Sequence, residues 1–205
     1  MGGLAIVSVA ALMLTGCTTN TVPSNFLAGT EGLHAGKFVQ SYWSASNVDR
    51  TNLAKIYLKP IDISQIQDAP DITAATAADA LKNAAIKDIR KTGELDVTDK
   101  PESATATLAL AITFMTPGSV SGRFWAAELG AGHAFVQVEG KVNDAATGKE
   151  IAAFADRRRD SGSIGFEDLG GDAGPRLVKR MVEAISSDFI KELLATTKPS
   201  SASTH

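Results

Sequence analysis

The chain has 205 residues, with 20 Lys+Arg against 23 Asp+Glu, a formal net charge of -3, 44% hydrophobic and 21% charged residues. These values lie in the ordinary globular range, where one domain is the default. With no excess of positive charge to grip a phosphate backbone, the balance argues against a nucleic-acid partner.

The chain opens MGGLAIVSVAALMLTGC: residues 4–14 are apolar apart from Ser8, and small residues follow up to Cys17. That run is too short for a transmembrane helix and suits the apolar region of an export signal. Cys17 is the only cysteine, so no intramolecular disulfide can form and a lone thiol in an exported protein calls for another explanation. Leu14-Thr15-Gly16-Cys17 resembles the lipobox of bacterial lipoproteins. The resemblance implies that a signal peptide, residues 1–16, is removed, that the Cys17 thiol carries a diacylglycerol, and that the new amino terminus carries an acyl chain such as palmitate. Burial of acyl chains at about 0.8 kcal/mol per CH₂ makes such a double signal an essentially permanent anchor. Within the same resemblance, Thr18 in place of an Asp implies the outer membrane. The alternative is an ordinary signal peptide with an incidental cysteine.

After Cys17 the chain is polar, Gly-containing and aperiodic, so residues 17–36 are expected to form the lipidated cysteine and a flexible tether. A globular domain is expected over residues 37–196 and a disordered tail over 197–205. In residues 55–61, Ile56 and Leu58 alternate with Tyr57 and Lys59, which predicts a short strand that Pro60 ends or places at an edge. Ala78, Leu81, Ala85 and Ile89 then recur at three and four residues, an amphipathic helix over about residues 73–92 with Gly93 where it stops. LDV suggests a short strand. Residues 104–116 place Leu108, Leu110, Ile112 and Phe114 on one face, and on the other Thr107, Ala109, Ala111 and Thr113, small enough to admit a closely packed helix.

Residues 133–144 alternate again, Ala134, Val136, Val138 and Val142 inward against Phe135, Gln137, Glu139 and Lys141 outward. Asp144 and Thr147-Gly148 suit a hairpin loop whose glycine takes positive φ, with EIAAFADRRR as the returning strand. Val178, Met181, Val182, Ile185, Phe189 and Leu193 stripe a second helix over about residues 175–195, with Pro175 in its first turn and Pro199 beyond its end. Two helices with one apolar face each imply a single α/β or α+β domain, its mixed, mostly antiparallel sheet packed with both.

No arranged chemistry emerges from the motifs. Gly130-Ala-Gly132 lacks the third glycine of a dinucleotide loop, Phe135 standing in its place at the start of a strand, so the two glycines read as a flexible strand entrance. Gly170, Gly171 and Gly174 lead into a helix with Arg176, Lys179 and Arg180, an anion-site pattern, but Asp172 there is better explained as a cap. His34, His133 and His205 show no metal-ligand spacing, and no G-x-S-x-G elbow occurs, so no catalytic residue, metal or cofactor is nominated. In Asp156-Arg157-Arg158-Arg159-Asp160, Arg157 and Arg159 share a strand face and Arg158 points the other way. The candidate binding surface is Arg157, Arg159, Trp125 and His133, suited to an anionic glycan, lipid headgroup or protein; local pairing or a protected edge strand is the simpler account. Tyr42, Trp43, Phe124 and Trp125 fit a binding groove or core packing equally well.

SNFLAGTEGLHAGKF, YWSASNVDRTNLAKIYLKPIDI, GAGHAFVQVEGKVNDAATGKEIAAFADRR and the closing amphipathic helix together resemble proteobacterial lipoproteins grouped as domains of unknown function. More distantly, the layout looks like the small α/β domains of outer-membrane accessory lipoproteins that activate penicillin-binding proteins or assemble curli secretion pores. The resemblance transfers no catalytic residue. It implies a domain displayed from a lipid, with an unassigned role. Cys17, the tether and the lack of an arranged catalytic set lead to the expectation of a non-enzymatic outer-membrane lipoprotein, facing the periplasm, that binds an envelope protein or peptidoglycan. Two alternatives stay open: an envelope hydrolase built around His133, Glu128 and residues 157–159, and a small-ligand or lipid-binding module using Trp125, Phe124 and Tyr42.

Overall fold

The computed structural model describes residues 21–28, 32–46, 48–66, 71–116, 133–160 and 173–199. In chain order its main elements are β1 (Ser41–Ser44), β2 (Lys55–Leu58), α1 (Asp71–Lys91), β3 (Asp96–Thr98), β4 (Ala106–Thr116), β5 (Phe135–Asp144), β6 (Glu150–Arg159) and α2 (Ala173–Thr196). The strands form one open six-stranded sheet in the order β1-β6-β5-β4-β2-β3. Antiparallel pairing joins β1 to β6, β6 to β5 and β5 to β4, while β4–β2 and β2–β3 are parallel. A parallel neighbour needs a crossover, and α1 supplies it between β2 and β3. The result is a single α+β domain with a mixed sheet and two helices, in agreement with the fold class implied by the two helical stripes and the alternating strands.

The stripes pack largely as their spacing requires, with Ala77 rather than the expected Ala78 buried at the start of the α1 stripe. Ala77, Leu81, Ala85 and Ile89 of α1 and Val178, Val182, Ile185, Phe189 and Leu193 of α2 join one buried cluster with Leu108, Leu110, Val136, Val138 and Phe154 of the sheet. Ser186 Oγ donates to Asp88 Oδ2 at 2.8 Å, tying α2 to α1. α1 ends where Gly93 takes φ +70°, and the Thr92 hydroxyl accepts the amides of Glu94 and Leu95. At the centre of the sheet Phe154 stacks on Phe189 of α2 with ring centroids 4.0 Å apart. Gly140, paired with Phe154 in register, leaves the space that ring occupies: a Cβ there would lie 2.1 Å from Phe154 Cε1.

The hairpin between β5 and β6 forms as expected, with Gly148 at φ +69°. Asp144 Oδ1 accepts from the Thr147 amide and hydroxyl, and those bonds, the hydroxyl's first, hold its carboxyl below its ordinary value.

Two strand-face expectations are corrected. A bulge between Ile112 and Phe114 shifts the phase of β4, so Met115 rather than Phe114 continues the helix-side row after Leu108, Leu110 and Ile112. On β5, Gln137 and Glu139 lie on the face away from the valines but are not solvent-exposed as expected of an outer face: they are 1% and 2% exposed. The physical reason is a covering segment that comes from far away in the chain.

Candidate functional site

On the sheet face away from the helices, register aligns the side chains in rows: Ala155 with Glu139 and Ala111, then Arg157 with Gln137 and Phe114, then Arg159 with Phe135 and Thr116. The alanines are small enough for another backbone to lie over them, and the segment 21–28, here the strap, occupies that space; Ala111 and Ala155 are buried. Among the described residues no helix covers this face, in contrast to the close helix packing that the small residues of β4 suggest. Residues 21–28, whose composition predicts a tether, instead make specific bonds to the sheet.

Gln137 grips the strap with both ends of its amide. Val22 N donates to Gln137 Oε1 at 2.7 Å, and Gln137 Nε2 donates to Val22 O at 2.8 Å. Ser24 Oγ donates to Glu139 Oε2 at 2.5 Å. The other oxygen of that buried carboxylate accepts from Thr113 Oγ1 at 2.8 Å and Gln137 Nε2 at 2.7 Å. A buried carboxylate is tolerated only when its lone pairs are met, and here strap and sheet share the task. Thr113 reaches it by plain strand alternation with Ala111, and the bulge then brings Phe114 to the same face.

Beside the strap lies a cleft of about 740 Å³, bounded by Val22 to Asn25, by Ser64 and Gln65 after β2, and by Thr113 to Thr116 at the end of β4. Asn25 N donates to Gln65 Oε1 at 3.1 Å and closes one side. The Arg157 guanidinium sits 4.5 Å from the ring centroid of Phe114 and 5.4 Å from that of Phe135, so it holds the Phe114 wall by cation–π contact.

Of the residues nominated from sequence, Arg157, Arg159 and His133 come to the same end of β5 and β6. Phe135 pairs with Arg159, and His133 Nδ1 lies 2.8 Å from Asp160 O. Arg158 faces the helices, as strand alternation requires, and bridges Asp156 and Asp188 with its Nη2 at 2.8 and 2.7 Å. Burial, and then repulsion from Asp188, push the Asp156 carboxyl above its ordinary value against the pull of Arg158. Burial acts the same way on Asp188, yet hydrogen bonds from Lys191 and Arg158 outweigh it and hold that carboxyl low. The acids flanking the arginines thus pair locally on the Asp156 side. β6 is an inner strand up to Ala155; past β1, Gln40 Oε1 accepts the Arg157 amide at 3.3 Å.

Tyr42 belongs to the core, not to a groove: it is 1% exposed, its phenol oxygen accepts from Thr196 Oγ1 at 2.9 Å, and burial pushes its pKa up. Cys17, Phe124, Trp125, Glu128, Gly130, Gly132, Gly170, Gly171 and Asp172 lie outside the described residues. Among the described residues no helix is long and apolar enough to cross a membrane, and no group of His, Cys, Asp and Glu is placed to hold a metal ion.

No protein-family model and no curated protein matches the chain. Among solved structures it is similar to a PelC dodecamer from Paraburkholderia phytofirmans, at 16% identity over 70% of this chain and 94% of that one, with a TM-score of 0.42. A Xanthomonas campestris protein of the DUF330 family is 11% identical over 69% and 84% of the two chains, with a TM-score of 0.48. The lipoprotein GNA1162 from Neisseria meningitidis is 17% identical over 65% and 98%, with a TM-score of 0.30. Lipoproteins and families of unknown function therefore occur among the structures it resembles, and no function passes from them to this chain.

Strand alternation alone does not identify Gln137, Glu139, Thr113, Phe114 and the strap as one site. The available signal was an amide and a carboxylate at successive positions of one face of a Val-rich strand, opposite alanines that leave room for a covering chain.

Proposed function

We propose that this protein is a non-enzymatic lipoprotein of the bacterial cell envelope, anchored to the outer membrane by acyl chains on Cys17, whose periplasm-facing domain binds a partner in the cleft beside Phe114. The partner is an envelope protein or a part of the peptidoglycan. What supports this reading is the join between anchor and fold. Val22 is bonded to Gln137 five residues after Cys17. Five residues reach at most about 17 Å when fully extended, so a lipid on Cys17 would hold the domain close to the bilayer, with one wall of the cleft continuous with the anchor. The cleft walls carry hydroxyls and amides, groups that orient and hold a ligand.

The test is Cys17→Ala in the full-length chain. Metabolic labelling with palmitate should be lost, and the protein should move from the outer-membrane fraction to the soluble fraction. Labelling and fractionation that match the unaltered protein would overturn the anchor.

A further inference from the structure

We infer that the cleft beside Phe114 takes a neutral oligosaccharide, a ligand class that rests on the reading of this domain as a binding module and narrows it. Among the described residues the lining carries no formally charged side chain. Its volume, about 740 Å³, is within the range of sites that enclose small ligands. The described lining residues offer a charged ligand no opposite charge in place of its hydration, and an acyl chain would desolvate amides without replacing their hydrogen bonds.

The polar groups divide into two sets. Ser24 and Thr113 spend their hydroxyl protons on Glu139, and Gln65 Oε1 is taken by the Asn25 amide; these bonds fix the walls. Left over, among the described residues, are Gln65 Nε2, the side-chain carboxamide of Asn25 and the hydroxyl of Ser64, which have no protein partner. They supply neutral donors and neutral acceptors side by side. A sugar hydroxyl both donates and accepts, so it pairs with such groups without placing a charge in the cleft. Phe114 adds a flat apolar wall for the C–H face of a sugar ring, and Arg157 at 4.5 Å from its centroid holds that wall in place. A cleft made for a peptide would be expected to read charged side chains, and the described lining residues include none.

The experiment titrates the full-length acylated protein in detergent micelles with neutral oligosaccharides of glucose and of N-acetylglucosamine, in parallel with a polygalacturonate oligomer and a peptidoglycan stem peptide, by calorimetry. At least one neutral sugar should bind saturably, with an affinity that does not change between low and high salt, since no charge is matched. Gln65→Ala and Asn25→Ala, at a half-buried and an exposed position, should each retain the thermal transition of the parent and together weaken binding by about tenfold. Absence of binding by every neutral sugar, or binding indifferent to both substitutions, overturns the inference. Binding of only the charged oligomer or the peptide, abolished by the same substitutions, overturns the sugar while leaving the binding-module reading in place.

Discussion

The Ser24 hydroxyl bonds to the carboxylate of Glu139 across 115 positions of sequence. That bond, with the double grip of Gln137 on Val22, makes the strap part of the domain and one wall of its cleft. Gln137→Leu removes the grip while filling similar space, and it takes a donor from Glu139. An unsatisfied buried group costs about 1–3 kcal/mol, and urea unfolding should show a loss of that size. The strap should also be cleaved by a broad-specificity protease faster than the rest of the domain. A variant as unstable as expected but with a wild-type cleavage pattern would mean that other contacts hold the strap.

Gly140 is the most tightly enclosed of the described glycines. A methyl there would meet Phe154 Cε1 at 2.1 Å and Leu110 Cδ2 at 2.8 Å, so the Phe154–Phe189 stack must move. Overpacking of a filled core commonly costs about 1–3 kcal/mol, occasionally more, and Gly140→Ala should fall at or beyond the upper end. Adding Phe154→Leu should recover part of that loss, since it removes the ring edge the methyl strikes. A double mutant less stable than the sum of the two single effects would contradict this account.

The Arg158 bridge makes a pH-dependent contribution to stability, with opposite signs at its two carboxyls. Asp188 has a lowered pKa, so its carboxylate contributes stability that is present above the ordinary value of 3.8 and lost as pH falls through the folded one. Asp156 has a raised pKa, so its contribution is present below 3.8 and lost as pH rises through the folded value. Asp188→Asn should therefore destabilise the protein most at neutral pH, with the deficit closing as pH drops below 3.8. Urea midpoints measured from pH 7 down to about 3 read this directly. A deficit that stays constant over the range would show that Asp188 acts by packing and not by its charge.

The helices and the hairpin were legible because their signals are local. Leu81, Ala85 and Ile89 must share a helical face to be buried at all, and Gly148 takes φ +69° because a turn of that geometry strains a side chain. The proposed binding surface was only half legible. Arg157 and Arg159 share a face by strand geometry, but Phe114 joins them only through the bulge after Ile112, which no alternation pattern announces.

By itself the sequence determined the main strands, the two helices and which face of β5 carries the valine core, since each depends on the spacing of neighbouring residues. Tertiary structure alone decided what covers the second face. Glu139 and Gln137 look solvent-facing within β5 and are buried because residues 21–28 return to lie over them. Burial depends on everything that packs against a position, and a covering segment more than a hundred residues away leaves no mark in the local period.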